Sequence, residues 1–296
     1  MKVLTSLLLL FLLSNTSLAQ RFDKVEIKTT QVSEQIYMLE GAGGNIAVFT
    51  GEDGVLMIDA QFAELSERIL AAIKEISEHS ITYLVNTHHH GDHTGGNENY
   101  NIEGATIIAQ HNVRKRMSAP QTKRDGSPAA DKPKASLPTI TFKEGLNVHI
   151  NGEAVEVTHI HNAHTDGDSF IFFPKANVLH MGDCLFNRRF PYIDMKSGGT
   201  VKGYRKAIET ALTIVDDETT IIPGHGALAT KKDLLDFLIM LDTVQGKVQT
   251  AMNRGIVLEK MDIDNLIEGY ESWGEHFIDG PKFIGFIAQE LAEDLE

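Results

Sequence analysis

The 296-residue chain has a single cysteine, Cys184, so no disulfide can form within it and the fold must rest on its core. Basic residues are in deficit. Against 41 Asp and Glu stand 27 Lys and Arg, a formal charge of −14 that argues against nucleic-acid backbones or anionic lipid as partners. No Gly-x-Ser-x-Gly elbow is present to supply a serine nucleophile. No short-period repeat and no sign of a second domain interrupts the chain, and its one strongly apolar leader, Val3 to Leu13, is too short to span a bilayer comfortably.

What is present starts with that leader. Lys2 gives a positive n-region, Val3 to Leu13 an apolar h-region, and Ser17-Leu18-Ala19 the small residues that a signal peptidase reads. Residues 1–19 are therefore predicted to be a signal peptide cleaved before Gln20, with an uncleaved anchor as the alternative. No cysteine stands at the cleavage point for lipid attachment. The mature chain would be exported, to the periplasm or the medium, without stable membrane association. Removing Lys2 moves the formal charge from −14 to −15. With 42% apolar residues the remainder can bury a sizeable core, as one domain over residues 20–296.

Periodicity supplies the elements. Strands are predicted at Ile36–Leu39, Ile46–Phe49, Val55–Ile58, Ile81–Val85 and Ala105–Ala109, with an amphipathic helix over 62–77 and a short one at His111–Met117. Residues 118–137, rich in Pro, Lys, Ala and Ser, read as an exposed loop, either bordering a site or simply a surface insertion. A second β-rich block offers strands at Asn147–Ile150, Ala154–His159, Ser169–Phe173 and Val178–Met181, with a turn at Asn151-Gly152. Val201–Val215 is helical, Thr219–Ile222 strand-like, and residues 231–296 form a helical part with a long helix from Lys231. Two successive strand-and-helix halves predict an α+β fold, two β-sheets packed face to face with helices outside.

The stretch LVNTHHHGDHTGGN puts four possible metal ligands, His88, His90, Asp92 and His93, into six residues at the end of a strand. Imidazole and carboxylate together are a usual zinc ligand set. In an extended loop His88, His90 and Asp92 would converge, while the turn at Gly91-Asp92 sends His93 to a second point, a geometry suited to two metals. His164 in NAHTDGDS, Asp183 in HMGDCLF and His225 in IIPGHG sit where strands of the second half end, with Gly182, Gly224 and Gly226 permitting sharp turns. Together they make seven ligands, enough for two metals that keep an open or bridging position.

These residues, with Asp59 in LMIDA, resemble the metallo-β-lactamase superfamily in order and spacing over roughly residues 30–230. The resemblance implies a four-layer αβ/βα sandwich. His88, His90 and His164 would hold one Zn2+, Asp92, His93 and His225 a second, and Asp183 would bridge them, with Asp59 orienting the histidine loop. Iron or manganese would also accept this set. Two cations sharing a water lower its pKa from ~15.7 toward neutrality, so hydroxide is available without a strong protein base. Asp92 is expected to orient that hydroxide as the catalytic carboxylate while also binding metal. The expected activity is hydrolysis of a lactam, lactone or ester, with β-lactam hydrolysis the first to test. A hydroxyacylglutathione-type thioesterase, and a non-hydrolytic mononuclear iron dioxygenase or metal-binding protein, are the alternatives.

Substrate choice is less marked. Cys184 is the alternative ligand to Asp183, because one group of zinc β-lactamases uses a Cys there. Arg188 and Arg189 are candidate contacts for a substrate carboxylate, or else surface charges. The family's lactamase lysine is Asn187 here, and its lactonase tyrosine is Phe186. Phe190, Tyr192 and Ser197-Gly198-Gly199 are candidate pocket walls, and His89, His159, His161 and His180 are read as structural. A small-molecule substrate is the partner expected. The oligomeric state is left open, because the apolar helix Leu234–Leu241 suits the core or a partner equally.

Overall fold

Several strand segments are apolar at every position rather than at alternate ones, which requires both faces of a sheet to be covered. The computed structural model describes residues 22–120 and 126–294 and meets that requirement with four layers. The predicted signal segment lies outside the described residues, as do 121–125 of the loop at 118–137. The first sheet runs in chain order: β1 (Lys28–Gln31), β2 (Ile36–Glu40), β3 (Ile46–Phe49), β4 (Val55–Ile58), β5 (Ile81–Asn86), β6 (Thr106–Gln110) and β7 (Ile140–Phe142). It is antiparallel from β1 to β4 and parallel from β4 to β7. The second holds β8 (Gly145–Ile150), β9 (Glu153–Ile160), β10 (Asp168–Phe173), β11 (Val178–Phe186) and β12 (Thr220–His225), and only its β11–β12 pair is parallel. The helices are α1 (Ser66–Ile76), α2 (Gly91–Thr94), α3 (Asn97–Ile102), α4 (His111–Ser118), α5 (Val201–Ile214), α6 (Lys231–Asn253), α7 (Ile263–Leu266) and α8 (Gly280–Glu293).

Strand pleat explains the layering. In β3, Ala47 and Phe49 face the second sheet and pack with Val155, Val157, Ile171 and Phe173. Ile46 and Val48 face the other way, onto Leu65, Ile69, Ile73 and Tyr100 of the outer helical layer. On the far side Phe170, Leu179 and Ile221 meet Tyr204, Ile208, Phe237 and Phe283 from α5, α6 and α8. The predicted α+β sandwich is therefore the fold found. Along α6, Leu234, Phe237, Met240 and Leu241 are buried while Leu235 and Ile239 are exposed, so the helix covers the core.

Three differences from the predicted elements have local causes. β1, KTTQ, carries no apolar alternation and is held by pairing with β2 at the sheet edge. α2 and α3 are short and polar, below the length at which periodicity is readable. β11 runs to Phe186, beyond the predicted Met181, because its register with β12 shifts on both sides of Gly182, whose φ of 51° favours glycine.

The two sheets are tied at one edge. Asn45 donates from its backbone to the Gly224 carbonyl (2.7 Å) and from its side chain to Pro223 and Gly226 (both 2.9 Å), and Ser169 donates to the Thr87 carbonyl (2.9 Å). The far helices are tied by a buried carboxylate: Glu290 of α8 accepts from the Val201 and Lys202 amides at the start of α5, where Thr200 also accepts from Gly203. Losing this contact in Glu290→Ala is expected to cost roughly 1–2 kcal/mol. That corresponds to a fall of about 2–8 °C in melting temperature, read by scanning calorimetry. A shift below about 1 °C contradicts the capping role.

Candidate metal centre

The site assembles where strands of both sheets end. Asp59 follows β4 with φ 64°, a region that aspartate enters more readily than most side chains, and its fully buried carboxyl faces the loop after β5. It accepts from Thr87 N (2.8 Å), Thr87 Oγ1 (2.7 Å) and His93 Nδ1 (2.7 Å), which fixes the histidine loop at two points. Residues 91–94 then wind into the single turn of α2, with the His93 amide on the His90 carbonyl (3.1 Å). This corrects the extended-loop expectation. His88 and His90 share one direction, but the helical turn rotates Asp92 away from them, beside His93.

His88, His90, His164 and Asp183 form one group of possible metal ligands, and Asp92, His93 and His225 another, the facing atoms of each lying within 4.8 Å of one another. In the first, His90 Nδ1 lies 3.1 Å from His88 Nε2 and 2.9 Å from His164 Nε2. The outward nitrogens settle which atoms carry protons. His164 Nδ1 donates to the Tyr192 carbonyl (2.8 Å), and His90 Nε2 to Asp194 (3.0 Å). Thr87 Oγ1 gives its proton to Asp59 and so accepts from His88 Nδ1 (3.0 Å). Three lone pairs are left pointing at one another.

Asp183 stands between the groups. Its Oδ2 lies 3.5 Å from His164 Nε2 and 3.7 Å from His88 Nε2, while Oδ1 lies 3.1 Å from His93 Nε2 and 3.4 Å from His225 Nε2. His225 Nε2 is also 3.3 Å from Asp92. With His93 Nδ1 donating to Asp59, a neutral ring turns its Nε2 lone pair toward Asp183 Oδ1, an oxygen that cannot donate, so only a proton or a cation between the two buried atoms satisfies both. Each such buried polar atom costs about 1–3 kcal/mol. Divalent cations facing these lone pairs would turn that cost into binding energy, so the residues present fit a dinuclear metal centre. Close packing supports the same geometry: a Cβ at Gly224 would lie 2.0 Å from Asp183 Oδ1, and one at Gly44 2.0 Å from the His93 ring.

Without a cation the two groups behave differently. Burial, joined by neighbouring His93, holds His88 well below its usual value, and burial brings His164 down to about 4. His88 and His164 therefore stay neutral and their lone pairs stay available. Burial also opposes charge on His93 and His225, but Asp183 and its neighbouring carboxylates outweigh it, raising His93 well above its ordinary value and His225 to about 9. Asp92 is brought to about 2, because His93 and His225 outweigh its burial.

The remaining expected residues are placed as follows. Asp183 faces the cluster and Cys184 does not. The cysteine is buried in the core behind β11, against Asp168, and burial pushes its thiol up. Arg188 departs from its expectation as a substrate contact: it pairs with Asp233 (3.0 Å) and Asp236 (3.4 Å) of α6. Arg189 does line the cavity beside the cluster, and its guanidinium takes part in no ion pair among the described residues. Asn187 donates to the Ala227 (3.0 Å) and Leu228 (3.3 Å) carbonyls, and Phe186 stacks on His225 at 5.0 Å, so neither is free to replace the absent lysine or tyrosine. His159, His161 and His180 bond to Asp168, Glu144 and Asn45, whereas His89 reaches a group with His90 and Asp194. The described part of the 118–137 loop does not line the cavity.

Three supporting residues were missed. Asp168 accepts from the Thr165 amide (2.8 Å) and hydroxyl, shaping the turn that carries His164, and burial raises its carboxyl to about 7. Asp194 orients His90; burial opposes its ionisation, but the bonds from His90 and Ser197 hold it well below the usual range. Asn45 joins the sheets behind His225. Only Asp168, close after His164 in HTDGD, left a readable signal.

A family model described as the metallo-beta-lactamase superfamily matches residues 39–225. The chain is 20% identical over 203 residues to a metallo-beta-lactamase type 2 of Bacillus sp. (strain 170), spanning 68% of this chain and 74% of that one. It is 33% identical over 146 residues to a hydroxyacylglutathione hydrolase of Nitrosococcus oceani, spanning 49% of this chain and 48% of that protein. In fold it is similar to a metallo-beta-lactamase from Pontibacter korlensis, at TM-score 0.61 and 18% identity, over 73% of this chain and 99% of that one. A sec-alkylsulfatase from Pseudomonas sp. matches at TM-score 0.64 and 16% identity, over 92% of this chain and 51% of that one. A match of that extent takes in most of the helical part after residue 230.

Asp59 touches none of the facing atoms and acts through Thr87 and His93. Asp59→Ala is expected to weaken divalent-metal binding about 10–100-fold, measured by competition with a chromogenic chelator. Unchanged affinity would contradict its orienting role.

Proposed function

The chain belongs to the metallo-beta-lactamase superfamily of metal-dependent hydrolases, and from that premise we propose that it is a dinuclear-zinc hydrolase of acyl bonds in lactams, lactones or esters. The observation that carries the reading is Asp183, whose two oxygens face two separate groups of imidazole and carboxylate ligands. His88, His90 and His164 would hold one cation with Asp183 Oδ2, and Asp92, His93 and His225 the other with Oδ1. A pair of zinc ions in these positions supplies Lewis acidity and brings a shared water toward ionisation at neutral pH.

The chain's own residues set the rest. Asp92 is part-exposed at the cavity and ionised at neutral pH, so it accepts a hydrogen bond and orients the attacking water without donating a proton to it. Buried His88, His93 and His164 are locked by Thr87, Asp59 and the Tyr192 carbonyl, which keeps the ligand geometry fixed while substrate enters. The cavity has a volume of about 540 Å³, within the range of small-molecule sites, about 300–1,000 Å³. Arg189 on its wall is a suitable partner for a substrate carboxylate, because a half-buried guanidinium gains most from a bidentate anion.

Two measurements test this. Metal analysis should find about two zinc ions per chain; a single iron would sink the hydrolase reading in favour of a mononuclear oxygenase. A panel of a β-lactam, an acyl lactone, a thioester and an aryl sulfate then ranks substrates, with the β-lactam tried first. The likeness to hydroxyacylglutathione hydrolase makes a thioesterase the second reading, and preference for the thioester would select it. Asp183→Asn is expected to lose most bound metal and activity, while Cys184→Ser keeps both. The reverse result would transfer the bridging role to the cysteine.

Export is part of the same proposal, supported by the n-region, h-region and small residues before Gln20. No helix among the described residues is long and apolar enough to cross a membrane. When the gene is expressed in a Gram-negative host, mass spectrometry of the periplasmic fraction should find a mature chain starting at Gln20. An intact Met1 species retained with membranes would instead support the uncleaved anchor.

A further inference from the structure

Half of the large exposed apolar side chains among the described residues cluster in one place. Of eight large ones exposed among the described residues, four, Ile256, Val257, Leu258 and Phe277, line one trough of about 820 Å³ between the end of α6, the 255–261 segment and α8. Phe277 is 75% exposed and Val257 53%, a degree of exposure that a cluster of this kind rarely shows without a ligand or partner. Lys282 is the only charged residue on the lining.

This trough does not stand apart from the metal centre. Tyr192, Phe277 and Ile278 line both it and the metal cavity. The Tyr192 ring forms the partition: its centroid lies 5.8 Å from that of His90 on one side, and 5.8 Å and 5.9 Å from those of Phe277 and Phe286 on the other. The metal cavity and the trough therefore adjoin across a shared apolar wall.

We propose that the trough holds the apolar chain of the substrate, which is an amphiphile: a hydrolysable ester head lies at the metal centre, and an unbranched alkyl or acyl chain passes Tyr192 and Phe277 into the trough. The placement of the head rests on the hydrolase reading above; that of the chain rests on the trough. A bilayer of anionic lipid is a poor alternative occupant for a chain of formal charge −14. A second copy of the protein would leave the junction with the metal cavity without a purpose.

The test uses the zinc-loaded full chain and two ligand series. The first is p-nitrophenyl esters from acetate to decanoate, followed by kcat/KM. The second is ethanesulfonate against decanesulfonate, neither hydrolysable, followed by titration calorimetry. Burial of each methylene should raise kcat/KM about two- to fourfold through the medium chain lengths, and decanesulfonate should bind about a hundredfold or more tighter than ethanesulfonate. Gly285 lies in the trough and an added Cβ there meets nothing within 4 Å, so Gly285→Phe fills it. That variant should lower the decanoate-to-acetate ratio at least tenfold with melting temperature and zinc content retained. Should Gly285→Phe not fold, Val257→Asp makes the same measurement from an exposed position.

A flat chain-length profile with short esters hydrolysed, or decanesulfonate binding that neither variant weakens, overturns the proposal and leaves the hydrolase reading intact. Decanesulfonate binding that the variants weaken, with no ester hydrolysed, supports the trough and removes the ester-hydrolase reading alone. Dimerisation abolished by Val257→Asp without any chain-length effect assigns the trough to a second copy and overturns the proposal.

Discussion

Asp183 faces a histidine group with each of its oxygens, and most of the surrounding architecture keeps it there. Ring nitrogens of His88, His90 and His164 meet on one side, and His93 and His225 face it from the other. The outward nitrogens of His88, His90, His93 and His164 are each anchored, and the backbone around them is tightly packed. Asp59, Asp194, Thr87 and the Tyr192 carbonyl provide the anchors. Gly224 and Gly44 provide the close packing, since any side chain at either would displace a ligand. Side-chain hydrogen bonds set the tautomers, the tautomers aim the lone pairs, and the lone pairs make the site selective for cations.

The ligands come from both halves of the sandwich. The first sheet delivers His88, His90, Asp92 and His93 after β5, and the second delivers His164, Asp183 and His225 around β10, β11 and β12. Bound cations would therefore cross-link the two sheets and add their binding free energy to folding stability. Asn45 and the Ser169–Thr87 bond join the same edge without metal. These bonds hold the edge that carries the candidate ligands from both sheets.

Legibility in the sequence followed the strength of local pattern. The unbroken apolar runs of β3 and β4 and the helical period of α1, α5 and α6 are local signals, and they sufficed for the four-layer fold. The ligand-rich loop was readable because four donors fall within six residues. The separation of Asp92 from His88 and His90 was implied by the family resemblance and not by local pattern, because one turn of α2 is too short to leave a period. Asp194 was not readable either: it lies 104 residues from His90, and nothing in PYIDMKS marks a carboxylate that bonds a histidine. Arg188 and Arg189, adjacent and chemically identical, show the same limit. Only the fold reveals that one is paired with α6 while the other faces the cavity.

The candidate metal ligands and part of the cavity wall come from different parts of the chain. All seven facing ligands lie within residues 39–225, the stretch matched by the family model. The cavity is closed, however, by His276, Phe277 and Ile278, which lie beyond that stretch and are carried ahead of α8. α8 is itself fixed to the second half by the stacking of Phe283 on Phe190 at 4.6 Å and by Glu290 at the start of α5. The wall is thus rigidly referenced to the metal centre, yet none of its side chains is needed to hold a cation. Changes there can alter what fits beside the reacting bond while the ligand geometry stays fixed. Residues 276–278, together with the side chains of Arg189 and Tyr192, are therefore positions at which the cavity wall can change without touching a candidate ligand.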